Sequence, residues 1–489
     1  MRHLLILLSL LSAVSCATDP PLAAQRLEEA LLELENNPSL FHAQLGLSVV
    51  DLDNGSIIAS IEPERALIPA STQKLITTAA ALDMLGSSAR FRTRLFVDGE
   101  IDQGTLKGHI YIVGGGDPTL GSPSMDEAKD LSEVVDAWAT AVRATGIRRI
   151  EGYVIGDGSY YGTAGLDMNW PWSDLGNYYG AGAYGLNLHE NLYYLDFRRT
   201  NQIGSTPEVA RIRPQIPELF IQNEVRIAEA GTGDNAYIYG APFNYQHFLR
   251  GTIPAGSSRF TIKGSLPDPP LFAAQQLQSR LEEMGIETVR PATSARLLEL
   301  PYTGNGQEIH RIESPGMLDI CKRTNLRSVN LYAEALLREI NKSRATEVFS
   351  LGSPERVLDW LGEKGISTAG VRLDDGSGLS PRNYFPPRLL TDLLYLLRED
   401  EEFRGTIPLA GRSGSLRNRF RNTAAEGRLY AKSGSLSGVR AYAGYVFRTD
   451  GRKLAFCIMV NNYSGSSGDI SRQLQQFMIS LCTAELEEG

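Results

Sequence analysis

Four cysteines among 489 residues are too few to staple a chain of this length. Cys16 belongs to the opening segment, and Cys321, Cys457 and Cys482 are so far apart that at most one pair could form. Their surroundings (DICKR, LAFCIMV, MISLCTA) are read as buried sites for free thiols. Histidine is also scarce: His42, His109, His189, His247 and His310 are scattered, with no H-E-x-x-H string and no clustered cysteines, so neither a metal site nor a cofactor is expected. Beyond the first residues no apolar run approaches membrane-spanning length, so no transmembrane helix is expected. Positive charge is in deficit, with 48 Lys plus Arg against 57 Asp plus Glu and a formal charge of −9. That balance argues against phosphate backbones and anionic lipid surfaces, so nucleic acid is not an expected partner.

What is present reads as a globular protein of two or three domains, 42% hydrophobic and 21% charged. The start, MRHLLILLSLLSAVSCA (residues 1–17), has one early Arg, a short apolar run and small residues, the pattern of a secretory signal. An exported, periplasmic protein follows. Cleavage falls after Ala17 or just before Cys16, where AVSC is similar to a lipoprotein box, with Ala13 at the usual leucine position, and would leave a lipid anchor on Cys16.

Both ends of the chain carry the parts of one unit. LAAQRLEEALLEL spaces Leu27, Ala30, Leu31 and Leu34 as a helix, and QLGLSVVDL and SIIAS flank an Asp53-Asn54-Gly55 turn. Near the other end RLYAKSG, GVRAYAGYVF and KLAFCIMV predict a three-strand antiparallel meander, followed by a helix from Asp469 with Ile470, Leu474, Phe477, Met478 and Leu481 on one face. These elements predict an α+β unit joining the chain ends, built from residues 18–92 and 300–489. Residues 93–299 are rich in short β runs and turns and read as an insertion; residues 300–400 return to helices, with Ser314-Pro315 and Ser353-Pro354 as expected helix starts.

Three short strings carry chemistry. In PASTQKLITTAAAL, Ser71 and Lys74 share a helix face near its N-terminus. A serine cap beside a surface lysine explains the pair equally well, except that the flanking residues are apolar and a half-buried cation needs a reason. Burial and the helix dipole disfavour its charged form, leaving Lys74 a better proton acceptor beside Ser71. Ser328 and Asn330 in RSVNLYAEALLREI lie between two helical runs, where capping is the ordinary use of such residues. Lys432, Ser433 and Gly434 end a strand in AKSGSLSG, where a small residue and a glycine let a substrate lie along the edge, or simply make a hairpin turn. A near copy, RSGSL at 412–416, shows that such a string is not rare.

Ser-x-x-Lys, then Ser-x-Asn, then Lys-(Ser/Thr)-Gly, in that order and on helix, interhelical loop and strand, resembles the motif set of the penicillin-recognising acyl-serine enzymes. About 250 residues separate the first two motifs, and with GGGDPTL (114–120), WPWSDLGNYYGAGAYGLNLHEN (170–191) and DGSGLS (375–380) the chain resembles the class C low-molecular-mass penicillin-binding proteins, D-alanyl-D-alanine carboxypeptidases/endopeptidases. Ser433 departs from the threonine commoner there, with a hydroxyl that can make the same bond.

The resemblance implies a transpeptidase-like domain, an antiparallel sheet with helices on both faces, split by an inserted region of two small domains. It implies acyl transfer from peptidoglycan stem peptides ending in D-Ala-D-Ala, and covalent inhibition by β-lactams. By residue, it makes Ser71 the nucleophile, Lys74 its base, Ser328 the proton donor to the leaving amine and Asn330 the holder of the substrate amide. Lys432 and Ser433 would bind the terminal carboxylate, Gly434 would let the substrate lie along the strand, and the N–H groups of Ser71 and Ser435 would form the oxyanion hole. Asp157, Asp167 and Asp174 are the candidates for an acidic contact to the diaminopimelate amine, each equally a turn aspartate.

Two rival readings remain. Gly434-Ser435-Leu436-Ser437-Gly438 matches the G-x-S-x-G nucleophile elbow, which needs a helix where GVRAYAGYVF predicts a strand. A non-catalytic wall-binding or β-lactam-sensing protein of the same fold is the other.

Overall fold

Period-two alternation fixes the central sheet. In the computed structural model, which describes residues 22–342 and 353–483, strands β1 (Gln44–Asp51), β2 (Ile57–Ile61), β3 (Leu429–Leu436), β4 (Val439–Phe447) and β5 (Lys453–Asn461) form an antiparallel sheet in the order β3-β4-β5-β1-β2. The expected export segment 1–17 and the lipidation site Cys16 lie outside the described residues. β1 pairs with β5 from Gln44 opposite Asn461 to Asp51 opposite Leu454, which ties the two ends of the chain together as expected.

Each strand sends alternate residues to opposite sides. Leu454, Phe456, Ile458 and Val460 of β5 pack with helices α1 (Leu22–Glu35) and α6 (Ser467–Thr483), while Ala455, Cys457 and Met459 join the core on the other face. That second core holds helices α2 (Lys74–Leu85), α3 (Met317–Arg327), α4 (Asn330–Lys342) and α5 (Pro387–Leu396). Helices therefore cover both faces of an antiparallel sheet, the α+β architecture expected. The amphipathic spacing of α6 buries Ile470, Leu474, Phe477, Met478 and Leu481, each contributing roughly 1.5–3 kcal/mol. Cys321, Cys457 and Cys482 are buried and unpaired, and burial pushes all three thiols above their ordinary range.

Between α2 and α3 the chain leaves and returns at one point. Two hydrogen bonds join Phe91 and Ser314: the Ser314 N–H donates to the Phe91 carbonyl, and the Phe91 N–H donates to the Ser314 hydroxyl. This corrects the expected helix start at Ser314-Pro315: the hydroxyl is taken by Phe91, and α3 begins at Met317 with Gly316 as its N-cap. The helix after Ser353 likewise begins at Glu355 with Pro354 as its N-cap.

A second departure concerns residues after 300. Gln307–Glu313, expected among helices, is a strand antiparallel to Arg92–Asp102, with Gln307 opposite Val97 and Glu313 opposite Arg92. It is an edge strand with only Ile312 buried, so its alternation leaves little hydrophobic signal. The intervening chain forms a seven-stranded, a three-stranded and a four-stranded sheet, with helices Leu131–Ala144 and Pro269–Glu283. Leu95, Trp138, Phe197, Leu249 and Phe272 belong to one continuous core beneath them.

Candidate active site

A strained turn presents Ser71. Pro69 leads into a 3-10 turn, Ala70–Gln73, which runs straight into α2, so Ser71 lies one turn ahead of the α-helix proper. Ala70 is fully buried at φ +48, a region that L-residues other than Asn and Asp enter rarely. Ser71 stays partly exposed, and Lys74, the first residue of α2, is wholly buried.

The Lys74 Nζ lies 2.9 Å from Ser71 Oγ, 2.7 Å from Asn330 Oδ1 and 2.6 Å from the Ser377 carbonyl oxygen. Burial lowers its pKa from 10.5 to about 7, against the opposing pull of the Asp375 and Glu334 carboxylates. Asn330 opens α4, and its Nδ2 donates to the carbonyl of Tyr179 in the inserted region at 2.7 Å, which fixes Oδ1 toward Lys74. Two residues earlier Ser328 ends α3 in a left-handed conformation, φ +57, and its hydroxyl lies 2.9 Å from Lys432 Nζ. Neither side chain is given to a helix cap; both are turned to the two lysines.

Lys432 is buried on β3, bonds the carbonyl of Ser433 at 2.8 Å, and is pushed well below the usual lysine range by burial and by the like charge of Lys74. β3 is the edge of its sheet, and the Ala431 N–H donates away from β4, to Pro408. Alternation places the N–H groups of Ser433 and Ser435 on that same edge. Gly434 brings the strand onto the serine turn: a Cβ there would lie 2.6 Å from the Pro69 oxygen and 3.1 Å from the Ser71 nitrogen. All three motifs thus meet around one hydroxyl. The RSGSL copy has its own use beside them, with Ser415 Oγ 3.3 Å from Ser433 Oγ. The nucleophile-elbow reading fails, since Ser435 runs through a tight turn at Ser437 and Gly438 into β4, a strand.

The three aspartates separate clearly. Asp157 is buried, and its two oxygens accept from the N–H groups of Ser159 and Tyr302, which makes it an internal brace. Asp174 accepts from Ser173 Oγ at 3.3 Å and from the Tyr179 hydroxyl at 3.4 Å. Asp167 is half-buried, accepts from Asn169 N–H, and is raised to about 6 by burial and by the nearby Asp375 and Asp374 charges.

Two carboxylates escaped the sequence reading. Glu334 of α4 accepts from the N–H groups of Gly376 and Ser377, and burial with the Asp375 charge raises it to about 8. Asp375 gathers Gly378 N–H, Ser380 N–H, Asn383 Nδ2 and Trp170 Nε1. Together they hold the loop whose Ser377 carbonyl touches Lys74. The signal for Glu334 was legible as an i, i+4 pair of charges, Glu334 and Arg338, inside a largely apolar helix, and that for Asp375 as the DGSGLS string itself. Among the described residues no group of three or more His, Cys, Asp or Glu could hold a metal ion, and no helix is long and apolar enough to cross a membrane.

Residues 25–482 match the D-Ala-D-Ala carboxypeptidase 3 (S13) family. The chain belongs to that family of serine-type D-Ala-D-Ala carboxypeptidases. It is 30% identical over 455 residues to the D-alanyl-D-alanine carboxypeptidase of Actinomadura sp. (strain R39), covering 89% of this chain and 80% of that one. To the D-alanyl-D-alanine carboxypeptidase DacB of Haemophilus influenzae it is 25% identical, over 89% of this chain and 88% of the relative. The crystal structure of penicillin-binding protein 4 (dacB) from Haemophilus influenzae superposes with a TM-score of 0.76 at 24% identity, over 93% of this chain and 98% of the other, a likeness of fold. The S13 assignment accords with a low-molecular-mass penicillin-binding protein of the kind the motifs resemble.

Proposed function

We propose that this S13 carboxypeptidase trims peptidoglycan stem peptides, and cuts crosslinks of the same chemistry, through an acyl-enzyme on Ser71. The observation that carries the residue roles is the bonding of Lys74. A neutral amine has two hydrogens and one lone pair. Asn330 Oδ1 and the Ser377 carbonyl can only accept, so they take the two hydrogens and leave the lone pair facing the Ser71 hydroxyl at 2.9 Å.

Ser71 Oγ then attacks the carbonyl carbon of the penultimate D-alanine as its proton passes to Lys74 Nζ. The developing oxyanion sits between the N–H groups of Ser71 and Ser435, donors that typically contribute about 3 kcal/mol each. As the tetrahedral centre collapses, the C–N bond breaks and the leaving amine takes the Ser328 hydroxyl proton, which Lys432 at 2.9 Å replaces. Asn330 holds the substrate amide, Lys432 and Ser433 the terminal carboxylate, and the Gly434 backbone lets the substrate lie along the edge of β3. An arriving carboxylate favours the charged form of Lys432, which burial otherwise suppresses. The proton that Lys74 took from Ser71 then restores the neighbouring Lys432, which leaves Lys74 a free amine again. Water enters on it as base and releases the acyl group, its proton returning through Lys74 to Ser71 Oγ, while a β-lactam, whose leaving group stays attached, persists on Ser71.

For the diaminopimelate amine we assign Asp167: it is half-buried, forms no ion pair among the described residues, and lies beside the Asp375 loop, where burial and that loop's carboxylates hold its pKa up, so an arriving ammonium group would relieve both. In the same reading, the catalytic unit comprises residues 22–91 and 314–483, with 92–313 as the insertion, and the protein is exported, with Cys16 as the lipid site if cleavage falls before it.

The test labels wild type and Ser71→Ala with a fluorescent penicillin and measures D-alanine release from a pentapeptide. Wild type is expected to do both and the variant neither. Labelling without release would instead fit a β-lactam-sensing protein.

A further inference from the structure

Solvent-exposed aromatic side chains scattered singly are ordinary, but here they are gathered on one face. Trp172, Tyr178 and Tyr237 are 57%, 48% and 44% exposed. The Trp172 ring lies 4.8 Å from that of Tyr239, and Tyr237 and Tyr239 project from the same side of strand Asn235–Tyr239, whose Ile238 is buried on the other side. Tyr178 packs edge-on against Tyr179, with Lys263 Nζ 5.3 Å from its ring centre, and Arg250 lies over Tyr239.

The face is rigid and joined to the catalytic residues. Asn177 clamps the Trp172–Gly180 segment onto the strand, its Oδ1 accepting from Ile238 N–H at 3.1 Å and its Nδ2 donating to Ile238 O at 3.3 Å. The Ser265 hydroxyl holds the Leu175 carbonyl at 2.6 Å. Tyr179, next to Tyr178, offers its carbonyl to Asn330.

We infer that Trp172, Tyr178, Tyr237 and Tyr239 form a platform for the glycan strand of peptidoglycan, stacking on the C–H faces of its β-1,4-linked amino sugars. Flat rings suit the apolar face of a pyranose, and the tyrosine hydroxyls, Lys263 and Arg250 at the rim suit its hydroxyl and acetamido edge. About four residues separate the scissile carbonyl from the sugar, roughly 14 Å of extended chain, so the sugar would lie outside the catalytic residues. The platform begins one residue from Tyr179, itself bonded to Asn330. The choice of ligand rests on the carboxypeptidase reading.

Binding of amidase-stripped glycan strands, which carry no peptide, is measured by calorimetry on wild type and on Trp172→Ala, Tyr178→Ala and Tyr237→Ala. Wild type is expected to bind, and each variant to bind about fivefold more weakly, in line with losing one ring contact. In parallel, kcat/KM for D-alanine release should fall in the variants on glycan-linked pentapeptide but not on free pentapeptide, with penicillin acylation unchanged. No binding by wild type, equal binding by the variants, or equal losses on both peptides would overturn the inference. So would a dimer in sedimentation that Trp172→Ala dissolves, which would assign the face to a second copy. Glycan binding by a protein that neither labels with penicillin nor releases D-alanine would sink the proposed function and leave the platform standing.

Discussion

Acylation of Ser71 is expected to titrate with Lys74, with a midpoint set by burial. Its ordinary pKa of 10.5 would leave about one lysine in 3,000 neutral at pH 7. Depressed to about 7, roughly half carry the free amine, a gain of about 1,500-fold in the reactive fraction, or about 4 kcal/mol. The sign is that of a base: protonation removes activity. The second-order rate of acylation by a fluorescent penicillin, followed by stopped flow, should therefore fall about tenfold per unit below pH 7 and level off above it. The Asp375 carboxylate is the larger of the charges that hold the ammonium form up, so Asp375→Asn should move the midpoint to lower pH. Glu334, raised to about 8 and mostly neutral at pH 7, should move it little as Glu334→Gln. A flat profile, a rise that continues toward the ordinary lysine value, or an upward move in Asp375→Asn would refute the assignment of Lys74 as base.

Lys432→Ala should raise KM for D-Ala-D-Ala peptides about 10- to 100-fold through loss of one charge-assisted contact, and undiminished turnover would remove Lys432 from carboxylate binding. Gly434→Ala should lower stability by about 1–3 kcal/mol and slow acylation, because its Cβ would lie 2.6 Å from the Pro69 oxygen; Gly362→Ala, with nothing within 4 Å, is the control expected to leave acylation unchanged. Asp167→Asn should raise KM for peptides with a free diaminopimelate amine and leave the N-acetylated peptides unaffected, as measured by D-alanine release.

Those parts of the fold with strong period were legible in the chain. The meander of β3, β4 and β5 was visible because its strands are short β-rich runs bounded by turns, β5 being a continuous apolar run buried on both faces, and α6 because its five apolar residues fall on one side. Gln307–Glu313 was not, since an edge strand with one buried residue has no such pattern. The motif residues were legible because a nucleophile, its base and an amide need particular residue types at short spacing. Tyr179 was invisible for the opposite reason: it contributes a backbone carbonyl, which any residue could supply. Asp157, Asp167 and Asp174 looked alike in sequence because what distinguishes them is which N–H or O–H groups already bind their oxygens.

The departures from good folding practice in this chain gather around Ser71. Lys74 and Lys432 are buried lysines side by side, Glu334 is a buried acid raised to about 8, and Ala70 and Ser328 hold positive φ. Such features persist only where the surroundings over-determine them. Two glycines from distant parts of the chain do this for the serine turn. On one side Gly434 of β3 would place a Cβ 2.6 Å from the Pro69 oxygen; on the other, Gly378, at φ +78, would place one 2.0 Å from the Ala70 oxygen. Backbone therefore meets backbone on both sides of residues 69–71. The Ser377 carbonyl one residue from Gly378 and the Lys432 amine two residues from Gly434 are carried in by the same two approaches. The squeeze that keeps Ala70 in its strained conformation is thus the same geometry that delivers an acceptor to Lys74 and a second amine to Ser328, so the groups proposed as nucleophile, base and proton relay are positioned together.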